Sequence, residues 1–200
     1  MTSPIERHRI PVGKGVSMRF MFDTSTPPTS PGHNWAEMRY DGAPDSWVPE
    51  IGAHWHAHHD EHMECLEGRA SFTLGSYPSS QTTILSAGDP PLLIPRYTTH
   101  SFKFFKGEAA TLKESASPAG TYKQEFFEDL FYTGSVEKLG FLQVVRVFHD
   151  GDAFIALPGG IGVLDRAFTY VVGWLASWLV QGKMVKIDGE GNYVEGAKDK

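Results

Sequence analysis

The sequence predicts a mostly β protein: a sandwich or small barrel of short strands that continues into an α-helical C-terminal extension. Apolar and β-branched segments at residues 16–22, 70–74 and 101–105 are separated by turn signals such as Pro90-Pro91. Many short strands between such turns are typical of β-sandwiches and small barrels. After residue 118 the apolar residues recur at helical spacing. We therefore expect one β domain followed by helices.

Three helices are expected in the second part of the chain. The first begins near Thr121, because Thr121 and Gln124 have the spacing of a capping box. The second follows Ser135, and the third covers residues 163–181, with Gly182 as its C-terminal stop. The expected apolar faces are Phe126, Phe127, Leu130 and Phe131 in the first helix, Leu139, Leu142, Val145 and Phe148 in the second, and Leu164, Phe168, Val171, Leu175 and Trp178 in the third.

These patterns divide the chain into three parts. Residues 1–118 are expected to form the β-barrel with its N-terminal strands, residues 119–182 a helical extension packed on the barrel or on a partner, and residues 183–200 a polar tail. The Gly-rich segment 157–162 lacks the lysine of a phosphate-binding loop, and we interpret it as a flexible linker between helices.

Charge and composition exclude several classes of protein. The net charge is −6 and Lys and Arg form no cluster, so nucleic acid is not expected as a partner. The apolar segment 168–180 is shorter than the roughly 20 residues of a membrane span, although contact with a membrane surface stays open. Cys65 is the only cysteine and the N-terminus does not resemble a secretory signal, which indicates a reducing, cytoplasmic location.

Five of the nine histidines lie in one short run, from His54 to His62. Side chains two residues apart on a strand point to the same side, so His54 and His56 can reach one metal ion together. Glu61, across a short turn, can add a carboxylate oxygen. The other histidines of the run are expected to be solvent-exposed, on the turn or on the outward face of the next strand, without a role as ligands: His58, His59 and His62.

Two segments resemble the signature motifs of the cupin superfamily. The first reads His54-Trp55-His56, four intervening residues, Glu61, six intervening residues and Gly68, and the second reads Pro95-Arg96-Tyr97-Thr98-Thr99-His100. Tyr97 stands where the second motif usually has glycine, which alters the turn before the last ligand. The resemblance implies a single jelly-roll barrel, or double-stranded β-helix, and assigns four metal ligands: His54, His56, Glu61 and His100.

The implied ligand set indicates the kind of metal. Three neutral imidazoles and one carboxylate leave positions open on an ion that prefers five or six ligands, whereas tetrahedral Zn(II) would be nearly filled. We therefore expect one divalent transition metal, with Fe(II) favoured and Mn(II), Ni(II) or Zn(II) as alternatives. Adjacent open positions allow a substrate to meet dioxygen or water on the ion.

Strand alternation also predicts a substrate pocket. Residues on the same side of their strand as Glu61 or His100 should line a cavity with sulfur and aromatic surface, which suits an apolar or aromatic molecule. Glu61 and Tyr97 are the candidates for catalysis, and Arg39 is a candidate for orienting a substrate carboxylate or phenol. The expected lining residues are Met63, Cys65, Phe102, Phe104 and Arg39.

These expectations describe a metal-dependent enzyme that acts on a small, apolar or aromatic metabolite. An oxygenase is the first expectation. A non-oxidative decarboxylase, isomerase or cyclase is the alternative, and a non-catalytic, metabolite-binding cupin is the second alternative. A homodimer is also expected. The sequence leaves open whether the helix that carries Trp174 and Trp178 faces a partner chain, its own barrel or a lipid surface.

Overall fold

The computed structural model describes residues 4–76, 78–131, 133–134 and 136–181. Within them the chain forms ten strands and then the helices, with one short strand between the last two α-helices. The strands are β1 (Ile5–Gly13), β2 (Val16–Phe22), β3 (Asn34–Tyr40), β4 (Glu50–Trp55), β5 (Asp60–Glu67), β6 (Arg69–Leu74), β7 (Gln81–Ser86), β8 (Leu92–Ile94), β9 (His100–Phe104), β10 (Ala110–Ser117) and β11 (Phe154–Ile155). The α-helices are α1 (Tyr122–Phe131), α2 (Phe141–Asp150) and α3 (Gly162–Leu179), and a short 3-10 helix spans Val136–Lys138.

The strands form two antiparallel sheets. One sheet has the order β1-β2-β3-β10-β5-β8 and the other the order β11-β4-β9-β6-β7. Each strand alternates between the two faces of its sheet, and β2 buries Val16, Met18, Phe20 and Phe22 while the residues between them stay partly exposed. The inward side chains of both sheets meet in one core. The mostly β, jelly-roll architecture that the sequence predicts is therefore confirmed.

The core lies between the two sheets and continues under the helices. Phe72 of β6 and Leu112 of β10 come from different sheets, and both are almost fully buried. Phe127 and Phe131 of α1 belong to the same hydrophobic cluster as these strand residues. The α1 and α2 helices thus supply part of the apolar surface that covers the β-barrel.

The helices differ in their bounds from the sequence prediction. The α1 helix begins at Tyr122, as expected, and the C=O of Thr121 accepts a hydrogen bond from the N–H of Glu125 at 3.0 Å. The second predicted helix is divided into the 3-10 helix and α2, because Gly140 has an extended backbone at ψ 153°. The α3 helix ends at Leu179, and the predicted stop at Gly182 lies outside the described residues.

The face of α3 that packs within this chain is not its apolar stripe. The apolar stripe that was expected to pack is largely exposed, and Trp178 exposes 75% of its surface. The buried residues of α3 are instead Asp165, Thr169, Gly173 and Ala176. These side chains are small or polar, and they let α3 lie close to α2. No helix in the described part of the chain is long and apolar enough to cross a membrane.

Candidate metal centre

The four ligands assigned by the motif resemblance lie at one end of the two sheets. His54 lies at the end of β4 and His100 at the start of β9, and the two residues are register partners. Glu61 lies near the start of β5, in the other sheet. His56 lies in the loop between β4 and β5, and its side chain is also buried. The candidate centre therefore lies between the two sheets, with ligands from both.

The glycine of the first motif has a steric role. Gly68 lies between β5 and β6 at φ 67°, in the left-handed region that glycine adopts without strain. A Cβ atom at this position would lie 2.2 Å from the backbone oxygen of Ala109. Any larger residue would push β5 away from this neighbour, so the requirement for glycine is local and comes from the turn.

The three motif histidines are oriented in the same way. In each ring Nδ1–H donates to a backbone carbonyl, so Nε2 carries the lone pair. Hydrogen bonds of this kind fix the orientation of metal-binding imidazoles in proteins. The acceptors are the carbonyl of Gly52 for His54 (2.9 Å), that of Asp152 for His56 (2.7 Å) and that of Thr98 for His100 (2.9 Å).

The spacing of the ligand atoms fits a shared ion. Nε2 of His100 lies 2.8 Å from Oε2 of Glu61, and Nε2 of His56 lies 3.0 Å from Oε1. Ligand atoms of His54, His56 and His100 all lie within 4.8 Å of one another. Donor atoms that share an ion at about 2.1 Å are separated by about 3 Å when they are adjacent. The observed distances agree with that arrangement.

Several of these atoms are buried without a hydrogen-bond partner among the described residues. They are Nε2 of His56, Nε2 of His100 and Oε2 of Glu61. With the proton of each ring on Nδ1, imidazole lone pairs face carboxylate lone pairs, an arrangement that a divalent cation between them would stabilise. The donor set of imidazole nitrogen and carboxylate oxygen suits a first-row transition metal. The residues present therefore fit such an ion.

The protonation states also suit a metal. Burial lowers the pKa of His56 to about 4 and holds the pKa of His54 well below its usual value. Burial alone would favour the neutral form of Glu61, but the ammonium of Lys123 keeps the pKa of this carboxyl well below its ordinary range. Neutral imidazole and ionised carboxylate are the forms that bind metal ions.

Lys123 and Glu114 are site residues that the sequence reasoning missed. Lys123 of α1 is paired with Glu61 and also lies 2.6 Å from Oε1 of Glu114 on β10. A weak sequence signal existed for both. Lys123 precedes the apolar pair Phe126 and Phe127 at helical spacing, and strand alternation places Glu114 on the inward side of β10 together with Leu112 and Ala116.

The expectation that His59 is solvent-exposed is wrong. His59 is only 2% exposed, its Nδ1 donates to a carboxylate oxygen of Asp152 at 3.1 Å, and its Nε2 lies 3.8 Å from Oε1 of Glu61. The loop folds inward here because Asp152, distant in sequence, binds it. His58 is exposed, as expected, and His62 is half-buried on the outer side of β5.

Tyr97 has a left-handed backbone at the glycine position of the second motif. Its φ is 65°, a conformation that glycine adopts easily, and its N–H donates to the carbonyl of His56 at 2.7 Å. Its side chain is 60% exposed and lies beside Trp55, with ring centroids 5.9 Å apart. Tyr97 thus lies outside the barrel, and its ring does not enter the core.

The residues expected to line a substrate pocket take two different places. Met63, Cys65, Phe102 and Phe104 are buried, and they belong to the packed core. Burial also raises the pKa of the Cys65 thiol. Arg39 is exposed and lies on the outer face of β3, opposite to its buried neighbours Met38 and Tyr40. Four of the five residues thus contribute to the apolar core, and Arg39 does not.

Open space adjoins the centre on its outer side. A groove of about 310 Å³ is lined by His100, together with Ala53, Thr73 and the loop at residues 156–160. A neighbouring cavity of about 580 Å³ is lined by Trp55, Tyr97 and Arg166. Ser76, Thr99 and Gly160 line both spaces.

Comparisons with known proteins found structural likeness but no sequence match. No protein-family model matches this chain, and no curated protein matches it. The Drosophila melanogaster CENP-C cupin domain is 16% identical over 50% of this chain and 69% of that chain, with a TM-score of 0.37. Oxalate decarboxylase from Bacillus subtilis, whose Mn(II) centres are described, is 20% identical over 58% of this chain and 30% of that chain, with a TM-score of 0.42.

An RmlC-like cupin from Shewanella frigidimarina is 16% identical over 56% of this chain and 84% of that chain, with a TM-score of 0.39. Likeness at these levels says nothing about substrate or activity. The fold follows from the chain itself: its two antiparallel sheets face each other, and the two motifs meet where β4 pairs with β9 and β5 with β8. The chain has the cupin fold.

Proposed function

We propose that this protein is a mononuclear metal-dependent enzyme that acts on a small organic metabolite. The proposed ligands are His54, His56, Glu61 and His100, and Fe(II) is the favoured metal. The observation that carries the proposal is the convergence of buried Nε2 atoms on the Glu61 carboxylate, without hydrogen bonds among the described residues. Unsatisfied buried polar atoms are costly, and here they have the types and spacing of a metal site.

The groove next to His100 is the proposed route for the substrate. Together with the adjoining cavity it has the volume of a small-molecule site, which is typically about 300–1,000 Å³. Trp55 and Tyr97 give it aromatic walls, and the guanidinium of Arg166 lies 5.4 Å from the Trp55 ring. These side chains suit a planar, apolar or aromatic molecule. Tyr97 would hold it from outside the barrel.

We propose an oxygenase as the reaction class, with a metal-dependent decarboxylase, isomerase or cyclase as the alternative. The bound metal would supply Lewis-acid or redox chemistry, while Lys123 holds the Glu61 carboxylate in its ionised form. Turnover of phenols, enols and keto acids with and without dioxygen separates the two classes. An oxygenase consumes dioxygen in proportion to product, and a reaction that proceeds anaerobically contradicts the oxygenase assignment.

The metal site itself can be tested with substitutions of matched histidines. We expect His56→Ala and His100→Ala to lose the ion, because each removes a buried Nε2. His58→Ala is the control, since the His58 side chain is exposed on the same loop. The measurement is elemental analysis of protein purified without a histidine tag. Equal metal content in all three variants would contradict the proposed site.

A non-catalytic cupin is the second candidate, and one observation favours it. Lys123 already places an ammonium on Glu61. Burial lowers the pKa of His100, but the negative charge of Glu61, whose Oε2 lies 2.8 Å from Nε2, outweighs it and raises this pKa above its usual value. Lys123 and a protonated His100 can therefore balance the negative charge of Glu61 without a metal ion. Purified protein that holds no metal and still binds a metabolite in the groove would support this candidate.

We further propose that the protein is a cytoplasmic homodimer. The exposed face of α3 carries several large apolar side chains, and such patches commonly mark protein interfaces. Trp174 and Trp178 are 57% and 75% exposed. Sedimentation equilibrium tests the proposal, with Trp178→Glu as the variant that should shift the protein towards monomers. A wild-type protein that stays monomeric would contradict it.

A further inference from the structure

We propose that His59 is a fifth ligand of the metal centre and that Asp152 holds it in place. This inference rests on the proposed metal function and deepens it. The resemblance to the cupin motifs assigns no role to His59. This residue lies after His56 in the loop between β4 and β5. The position of its ring nevertheless brings it to the centre.

The Nε2 atom of His59 is a buried, unpartnered nitrogen that points towards the centre. It has no hydrogen-bond partner among the described residues, and its side chain is only 2% exposed. It lies 3.8 Å from Oε1 of Glu61. Ligand atoms of His56, His59 and Glu61 lie within 4.8 Å of one another, so this second triad shares His56 with the triad of His54, His56 and His100.

A purely structural role for His59 explains this arrangement less well. A structural histidine would use both ring nitrogens, because leaving a buried polar atom unsatisfied costs about 1–3 kcal/mol. In His59 only Nδ1 is satisfied. The same pattern occurs in His56 and His100, the proposed ligands on either side of Glu61. A shared ion accounts for all three nitrogens together.

Asp152 fixes the loop that carries these histidines. Its carboxylate accepts hydrogen bonds from the N–H of Ala57 at 3.2 Å, the N–H of His58 at 2.8 Å and Nδ1–H of His59 at 3.1 Å. Its own carbonyl accepts from Nδ1–H of His56 at 2.7 Å. A carboxylate on the far nitrogen of an imidazole is a recurring support for metal ligands. Asp152 therefore acts as a positioning residue for two of them.

The backbone of Asp152 is also specialised. Its φ is 57°, in the left-handed region that Asp tolerates better than most residues. Asp152 lies between α2 and β11. A residue from the C-terminal part of the chain therefore holds the imidazole rings of His56 and His59 through hydrogen bonds. Five protein ligands would leave one position on a six-coordinate ion.

The test counts imidazole ligands with Cu(II) as the probe. Metal-free wild type, His59→Ala and His59→Phe are loaded with one equivalent of Cu(II), and pulsed EPR resolves the coordinated imidazole nitrogens. Phe keeps the ring volume without a donor atom, so it guards against a variant that fails to fold. His62→Ala is the matched control, because His62 is half-buried on the outer side of β5. Cu(II) affinity is measured by competition with a chelator.

We expect both His59 variants to lose one imidazole relative to wild type and to bind Cu(II) at least about tenfold more weakly, while His62→Ala is unchanged. Asp152→Gly, which tolerates the positive φ and lacks the carboxylate, should also weaken binding, by about 10- to 100-fold. An unchanged imidazole count in both His59 variants overturns the inference and leaves the four-ligand centre intact. A wild-type protein that binds no Cu(II) overturns the proposed function as well.

Discussion

Lys123 is a buried ammonium that lies between two carboxylates. Its partners are Glu61 and Glu114. The exposed fraction of the side chain is 12% for Lys123, 2% for Glu61 and 11% for Glu114. Burial disfavours the charged form of Lys123, yet the two carboxylates raise its pKa above the ordinary value. The pair of carboxylates would repel each other without this cation. Lys123 thus links α1 to both β5 and β10 through charge.

Replacement of Lys123 tests this role. We expect Lys123→Met in metal-free protein to lower the free energy of unfolding by about 3–5 kcal/mol, because it leaves buried carboxylates uncompensated. Urea denaturation followed by circular dichroism is the measurement. Lys113→Met is the control: its ion pair with Glu64, 3.0 Å long, is partly exposed and should be worth less than about 1 kcal/mol. Similar losses in the two variants would contradict a special role for Lys123.

The residues of the centre differ in how far the sequence could predict them. His54, His56, Glu61 and His100 are recognised because each lies at a fixed spacing within a short motif. His59 was misplaced, since its inward position depends on Asp152, which is 93 residues away. Such long-range partners leave no local pattern. A motif therefore predicts residues at a fixed spacing, including His56 in the loop between β4 and β5, and misses a position such as that of His59, which the motif does not include.

The close approach of α2 and α3 depends on a single glycine. Gly173 lies in the middle of α3 and is buried against α2. A Cβ atom at this position would lie 2.5 Å from Cβ of His149, a distance that real Cβ contacts do not reach. Glycine is intrinsically unfavourable within a helix, by about 1 kcal/mol relative to alanine. Its presence here is explained by the contact between the two helices.

Alanine at the two glycines of α3 should therefore have opposite effects. We expect Gly173→Ala to lower the free energy of unfolding by about 1–3 kcal/mol, because the helices must separate to accept the methyl group. Gly162→Ala, at the start of α3, meets nothing within 4 Å and should be neutral or stabilising by up to about 1 kcal/mol. Thermal unfolding measures both. A stabilising Gly173→Ala would show that the contact is loose.

Elements with a clear periodic pattern could be predicted, and very short ones could not. The alternation in β2 and the helical spacing in α1 gave the correct element at nearly the correct bounds. β11 has only two residues, so it carries no period, yet its pairing with β4 places Ile155 opposite His54. The face of α3 that packs on α2 has no apolar period of its own, because apolar residues surround most of the helix and small residues such as Gly173 and Ala176 are the buried ones.

At the scale of the molecule, barrel and helices share one hydrophobic core. Phe127 and Phe131 of α1 belong to the same cluster as Phe72 and Leu112 of the two sheets. An ion pair between Lys123 of α1 and Glu61 of β5 also connects the helices to the barrel. Apolar surface that two segments bury together stabilises both of them at once. We therefore expect residues 4–181 to unfold as one cooperative unit, although the sequence divides them into a barrel and an extension.

Phe131→Ala tests this cooperativity. Phe131 is 1% exposed, and its removal should cost about 3–5 kcal/mol, because truncation of a buried aromatic loses transfer free energy and leaves a cavity. The helical signal in circular dichroism and hydrogen exchange of the β10 amides should shift to lower denaturant together, since coincident transitions indicate a two-state unit. Phe141→Ala is the control, because Phe141 is 64% exposed and should change stability by no more than about 0.5 kcal/mol. If the helical signal shifts while the exchange of β10 does not, the extension folds independently, and the charge and apolar contacts between α1 and the barrel contribute little to the stability of the sheets.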